Sequence, residues 1–280
     1  MDIQWYPGHM TKARRAMQED IRLIDLLIEI LDARVPMASR NPDIDQLGQG
    51  KYRLIVLNKA DLADAAATEA WLAYFRERGA YAAALDARGS VRQVDSLIAK
   101  VVAEKKERDK KRGILNRPVR VMVAGIPNVG KSTFINSFAG RSAAKTGNKP
   151  GVTRGNQWIR VRRDLELLDT PGILWPRFDD KTVGVRLALI GSVKDDILDS
   201  ENLALEGIGL LQKRGPQALE ERYGFAPEGA PEKILAEIGR LRGCLVRGGE
   251  VDLEKAGRVF LEDLRSGRLG RLSLETAAEA

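Results

Sequence analysis

Gly125-Ile126-Pro127-Asn128-Val129-Gly130-Lys131-Ser132 has the form GxxxxGKS. An apolar run over 119–124 leads into it, and a helix-forming stretch over 131–138 leads out. Strand, glycine-rich turn and helix together make a phosphate cradle. The glycines let successive N–H groups turn inward, and the helix N-terminus adds partial positive charge. A second motif, Asn58-Lys59-Ala60-Asp61, has the form NKxD and comes directly off another apolar run, 54–57. It stands more than sixty residues ahead of the first motif. Ligands of parallel sheets lie beyond the carboxyl ends of the strands, so what matters is which strand end carries each loop, not the order along the chain. Chain ends often lie close together, so rejoining them and reopening the chain elsewhere can preserve a fold. The order predicts a circularly permuted P-loop domain.

The two motifs divide the work of holding a nucleotide. Lys131 would reach the β- and γ-phosphates, and Ser132 would put its hydroxyl on Mg²⁺. Asn128, Val129, Gly130 and Thr133 complete the cradle. The Asp61 carboxylate can accept from guanine N1–H and the 2-amino group. Adenine offers neither donor there, so the site selects GTP and GDP. Asn58 would brace the loop, and the Lys59 stem would cover the base. Leu85-Asp86-Ala87-Arg88 ends a third apolar run, where Ala87 would give its N–H to the guanine 6-oxo group; Asp86 stands where serine is usual. Asp169-Thr170-Pro171-Gly172 follows the run 165–168 and reads DxxG. Asp169 would hold Mg²⁺ through water, and the Gly172 N–H would meet the γ-phosphate. Thr153 either completes the Mg²⁺ shell or is an ordinary loop threonine.

Strands over 26–31, 54–57, 81–85, 119–124, 158–161 and 165–168 alternate with helices over 10–23, 64–78, 131–138 and from about 91. The fold class is α/β, with a mostly parallel sheet flanked by helices. After 177 the pattern is helical, broken by Gly and Pro. Residues 1–177 therefore form the predicted P-loop domain and 178–280 a small all-helical domain, with 278–280 a frayed tail. Because the chain reopens after DxxG, the switch there leads straight into the helical part, a short covalent route for nucleotide state. Cys244 is the single cysteine, and no apolar run approaches the ~20 residues of a membrane span. The N-terminus carries no leader pattern. A cytoplasmic chain without a membrane partner is expected. The net charge of +7 favours a polyanionic partner. The run 105–112 holds six Lys/Arg against two acids and is either a solvated helix and linker or an RNA contact. Arg240, Arg242, Arg247, Arg258, Arg265, Arg268 and Arg271 would track RNA phosphates if they share a face. No DNA partner is expected.

Trp5-Tyr6-Pro7-Gly8-His9-Met10, Asp32-Ala33-Arg34-Val35-Pro36, NKxD, the Asn-containing phosphate loop and Asp169-Thr170-Pro171-Gly172-Ile173 occur here in the order and spacing of one family. The chain resembles the circularly permuted ribosome-assembly GTPases of the RbgA/YlqF type. The resemblance covers residues 1 to about 175, with Arg265-Ser266-Gly267-Arg268-Leu269-Gly270 adding to it. It implies binding to the maturing large (50S) ribosomal subunit, through rRNA and ribosomal proteins, and GTP hydrolysis at a late assembly step. Ile173 stands where many GTPases carry a water-orienting glutamine, so hydrolysis should be slow alone and stimulated by the subunit. The resemblance makes His9 a catalytic candidate, able to orient water without being charged; a capping or surface histidine is the other reading. It also suggests K⁺ at Asn128. A rival function is a nucleotide-hydrolysing RNA-modifying or metabolic enzyme, which would need further catalytic side chains that the sequence does not display.

Overall fold

Short runs rich in Val, Ile and Leu suit strands covered on both faces, and those runs build one six-stranded sheet: β1 Leu26–Asp32, β2 Tyr52–Asn58, β3 Tyr81–Leu85, β4 Val119–Ala124, β5 Gln157–Arg162 and β6 Leu165–Asp169. The computed structural model describes residues 18–42, 44–45, 48–89, 91–114, 117–140, 157–169, 181–193 and 198–280. His9, Thr153, Gly172 and the boundary expected near Arg177 lie outside the described residues, as does most of the helix expected over 10–23, of which 18–23 is helical.

The strand order is β3-β2-β1-β4-β6-β5. Neighbours pair in parallel except β5 and β6, which form an antiparallel pair. From β1 the chain steps outward to β2 and β3, then returns to the other side of β1 for β4. The direction of winding thus reverses between β1 and β4, and in such sheets the ligand crevice lies at that reversal.

Helices cover both faces. Helix α1, Ala65–Glu77, sets Trp71, Leu72 and Phe75 on Leu31, Ile55 and Leu57. Its N-terminus is capped by the Asp64 carboxylate, which accepts from the Ala67 N–H at 2.7 Å. Helix α2, Arg92–Lys111, buries Val94, Ile98, Val101 and Val102 in the core of the opposite face, and α3, Lys131–Ala139, adds Phe134 and Ile135. The cationic run at 105–112 is the end of α2 rather than a linker. Lys105 pairs with Asp25 and Asp109 and Lys106 with Asp164, while Lys110, Lys111 and Arg112 stay exposed.

The chain then forms α4 Lys181–Leu189, α5 Ser200–Arg214, α6 Pro216–Tyr223, α7 Pro231–Leu241 and α8 Leu253–Ser266. Asp199 and Asp252 cap α5 and α8, and proline opens α6 and α7, as helix starts favour. Leu203, Ile208, Ile234, Ile238, Phe260 and Leu264 make the bundle's interior, continuous with the apolar layer under the sheet. Among the described residues after 181, the only β feature is the bridge Leu245–Val251.

Two expectations about this part are corrected. The frayed tail is instead a docked 3₁₀ turn, Ala277–Glu279, because Arg186 and Arg214 both pair with the Glu279 carboxylate. The arginines do not share one outward face. Arg265 donates to the carbonyls of Ala188 and Leu189 at the end of α4, and Arg271 donates to those of Ala60 and Ala63. Main-chain carbonyls left open at a helix end or a turn attract such donors.

Candidate functional site

The loops of the site leave the carboxyl ends of parallel strands, and Lys131, Ser132 and Thr133 open helix α3. Asp32 closes β1, Asn58 closes β2, Asp86 follows β3, Gly125 follows β4 and Asp169 closes β6. One carboxamide ties three of these loops together. Asn58 Nδ2 donates to the Val129 carbonyl of the phosphate loop at 2.6 Å, and Asn58 Oδ1 accepts from the Ala87 N–H at 2.8 Å. The Ala87 N–H, expected to be offered to guanine, is therefore committed to Asn58. The Ala87 carbonyl is held in turn by the Ser137 hydroxyl of α3 at 2.6 Å.

The phosphate loop allows no side chain at its two fixed glycines. A Cβ on Gly125 would stand 2.6 Å from the Ile30 carbonyl, and one on Gly130 only 2.3 Å from Asn58 Nδ2. Both glycines have positive φ. Asn128 is itself left-handed at φ 61°, and its amide donates to the Gly191 carbonyl beyond α4 at 2.7 Å. The phosphate loop is thus bonded directly to the turn after α4.

Lys131 is buried, 7% exposed, with its Nζ on the Ile126 carbonyl at 3.3 Å. Burial pulls its ammonium down to about 8, and the nearby Asp169 carboxylate offsets part of that. A cation held this way is short of negative charge, which a triphosphate would supply. Asp169 is buried too, and Ser132 lies one residue inside α3. A hydroxyl and a carboxylate are hard oxygen donors and, with phosphate oxygens and water, fit Mg²⁺.

Across the site from Asn128, Lys59 is, among the described residues, the other non-glycine residue with positive φ, at 58°. Its Nζ does not run free along the base edge but meets Asp32 at 3.0 Å. Asp32 also receives the Arg34 guanidinium at two points, 2.9 Å and 2.8 Å. Burial pushes the Asp32 carboxyl up, but Arg34 and Lys59 outweigh it and hold it well below the usual carboxylate range. Burial likewise lowers Lys59, with Asp32 opposing. Asp61, expected to read the base, is about one-third exposed and meets Arg88 at 2.6 Å, while Arg88 also pairs with Asp86. Asp32, Arg34 and Arg88 are residues to which sequence reasoning gave no site role. The sequence Asp32-Ala33-Arg34, placed straight after a strand, was the available signal for the first two.

Asp32→Asn removes the counter-charge of one buried and one half-buried cation, Arg34 and Lys59. We expect a loss of about 3–5 kcal/mol, or roughly 10 °C in melting temperature at pH 7. Because the folded pKa is depressed, the deficit is present above about pH 4 and closes as pH falls towards the folded value. A shift below ~2 °C in thermal denaturation at pH 7 would show that the ion triad contributes little.

A family model described as a 50S ribosome-binding GTPase matches residues 120–204. The chain is similar to ribosome biogenesis GTPase A of Bacillus cereus, 46% identical over 100% of this chain and 95% of that protein. It is similar to the protein of the same name from Priestia megaterium, 45% identical over 100% and 99% of the two chains. Among solved structures it resembles the GDP-bound structure of TM YlqF, with a TM-score of 0.69 and 26% identity, covering 94% of this chain and 100% of that one.

Proposed function

The chain belongs to the ribosome biogenesis GTPase A family, and from that membership we propose that it binds the maturing large (50S) ribosomal subunit and uses GTP hydrolysis to drive or check a late assembly step. It hydrolyses GTP to GDP and phosphate. The observation that carries the nucleotide reading is the Asn58 carboxamide, which joins the base-reading strand end to the phosphate loop and to the loop after β3.

In this reading Asp61 accepts the guanine donors, and Lys131 with the N–H groups of 128–133 holds the phosphates. Binding them in one geometry is most of what phosphoryl transfer asks of a protein. Ser132, Thr153 and, through water, Asp169 would hold Mg²⁺, which would supply positive charge against the phosphates. The Gly172 N–H meets the γ-phosphate. His9 orients the attacking water in place of the glutamine that Ile173 replaces. The Asn128 Oδ1 is the atom that would meet K⁺. The helical part, 178–280, faces the subunit. Arg240, Arg242, Arg247 and Arg258 are exposed there, and Lys110, Lys111 and Arg112 are exposed at the end of α2. Contacts of this kind with rRNA phosphates weaken steeply as salt rises.

The test is GTP turnover with and without purified large subunits, in K⁺ or Na⁺, for the wild type and His9→Ala. The reading expects strong stimulation that falls with salt, is larger in K⁺, and is lost in His9→Ala at unaltered GTP affinity. Turnover indifferent to subunits would sink the ribosomal role. Equal rates in the two salts would remove K⁺, and full stimulation of His9→Ala would remove His9.

A further inference from the structure

The Ala60–Ala63 turn carries Asp61, whose side chain, among the described residues, pairs with the long side chain of Arg88. The turn is gripped from outside by the segment after α8. Arg271 Nε donates to the Ala63 carbonyl at 2.8 Å and its NH2 group to the Ala60 carbonyl at 3.1 Å, so one guanidinium spans both ends of the turn. The Leu272 N–H donates to the Leu62 carbonyl between them at 2.9 Å. The Ser273 hydroxyl accepts from the Asp64 N–H at 3.2 Å. Gly267, at the end of α8, leaves room for the Leu62 side chain, which a Cβ there would meet at 2.6 Å. The next residues continue along the neighbouring loop. The Leu274 N–H donates to the Arg34 carbonyl at 2.8 Å, and the buried Glu275 carboxylate accepts from the Met37 and Ala38 N–H groups at 2.8 Å and 2.9 Å.

We propose that the strap 271–275 sets guanine selectivity and that Arg271 is its positioning residue, acting through Asp61. A planar guanidinium with donors fixed in a fork can hold two carbonyls at a set spacing, which a lysine cannot. With the turn held, the Asp61 carboxylate stands where both guanine donors reach it. With the turn released, Asp61 samples other positions, and the 2-amino group loses its partner first because only that acceptor geometry reads it.

This inference rests on the guanine-nucleotide reading above. The test measures binding of GTP and inosine triphosphate, which lacks the 2-amino group, to the full chain at a temperature well below melting. Arg271→Ala should weaken GTP by about tenfold while inosine triphosphate weakens far less, so the preference between them collapses. KM should rise with kcat at saturation nearly kept. Arg271→Lys should fall between wild type and Arg271→Ala. If Arg271→Ala keeps the wild-type preference, the inference is overturned, whatever happens to its melting temperature. If the wild type itself shows no preference, the nucleotide reading fails instead.

Discussion

Asp61→Asn is expected to exchange guanine for xanthine as the preferred base. The carboxylate is an acceptor at both oxygens and matches the two donors on guanine, N1–H and the 2-amino group. Asparagine keeps one acceptor and gains a donor, the pattern that xanthine complements with N1–H and its 2-oxo group. A hydrogen bond to a charged acceptor is worth about 1.5–3 kcal/mol, so losing one, and setting donor against donor in its place, should weaken GTP binding by roughly a hundredfold. Xanthosine triphosphate should gain affinity over its binding to the wild type and support turnover. Fluorescent-nucleotide titration reads both. Should the variant lose GTP affinity without gaining xanthosine triphosphate, Asp61 is a structural residue of the turn and not the base reader.

The second large effect has opposite signs in stability and in chemistry. Lys131→Met should remove hydrolysis by about a thousandfold or more, since a cation aimed at the transferring phosphate stabilises the transition state directly. The same change should make the nucleotide-free protein more stable. At pH 7 the buried ammonium, drawn down to about 8, opposes folding by roughly 3 kcal/mol relative to its unfolded value. Because the folded pKa is lowered, that penalty is full below about pH 8 and fades as pH rises through the window up to about 10.5. The gain in melting temperature should therefore be largest at neutral pH and shrink in alkali. Saturating GTP should stabilise the wild type but not Lys131→Met. A variant that is both inactive and less stable than the wild type at pH 7 would contradict this account.

The parts of the molecule readable from sequence are those with a local cause. The strand over 119–124 and the turn and helix after it follow from apolar runs and two glycines within a dozen residues, and the Asp64 cap follows from one side chain three residues from its partner. The base-reading motif was legible because it leaves a strand directly. What stayed hidden depends on chain segments far apart. Nothing around Asn58 says that its two amide atoms reach Val129 and Ala87, so the Ala87 N–H looked available to the base. Nothing near Arg265 or Arg271 distinguishes an arginine aimed at a carbonyl from one aimed at solvent. Composition made them look alike, and what separates them is the packing of α8 against α4 and of the segment after α8 against the Ala60–Ala63 turn. The acidic end of the chain looked solvated for the same reason, since Arg186 and Arg214 lie 65 or more positions away from Glu279.

The placement of the strap has a consequence for how the molecule is made. The Ala60–Ala63 turn is translated about two hundred residues ahead of the segment that grips it. All six strands, 26–169, are joined before residues 271–275, so until then the turn lacks the two hydrogen bonds from Arg271. On the proposal above, discrimination among purines is complete only once residues 271–275 have docked on the turn.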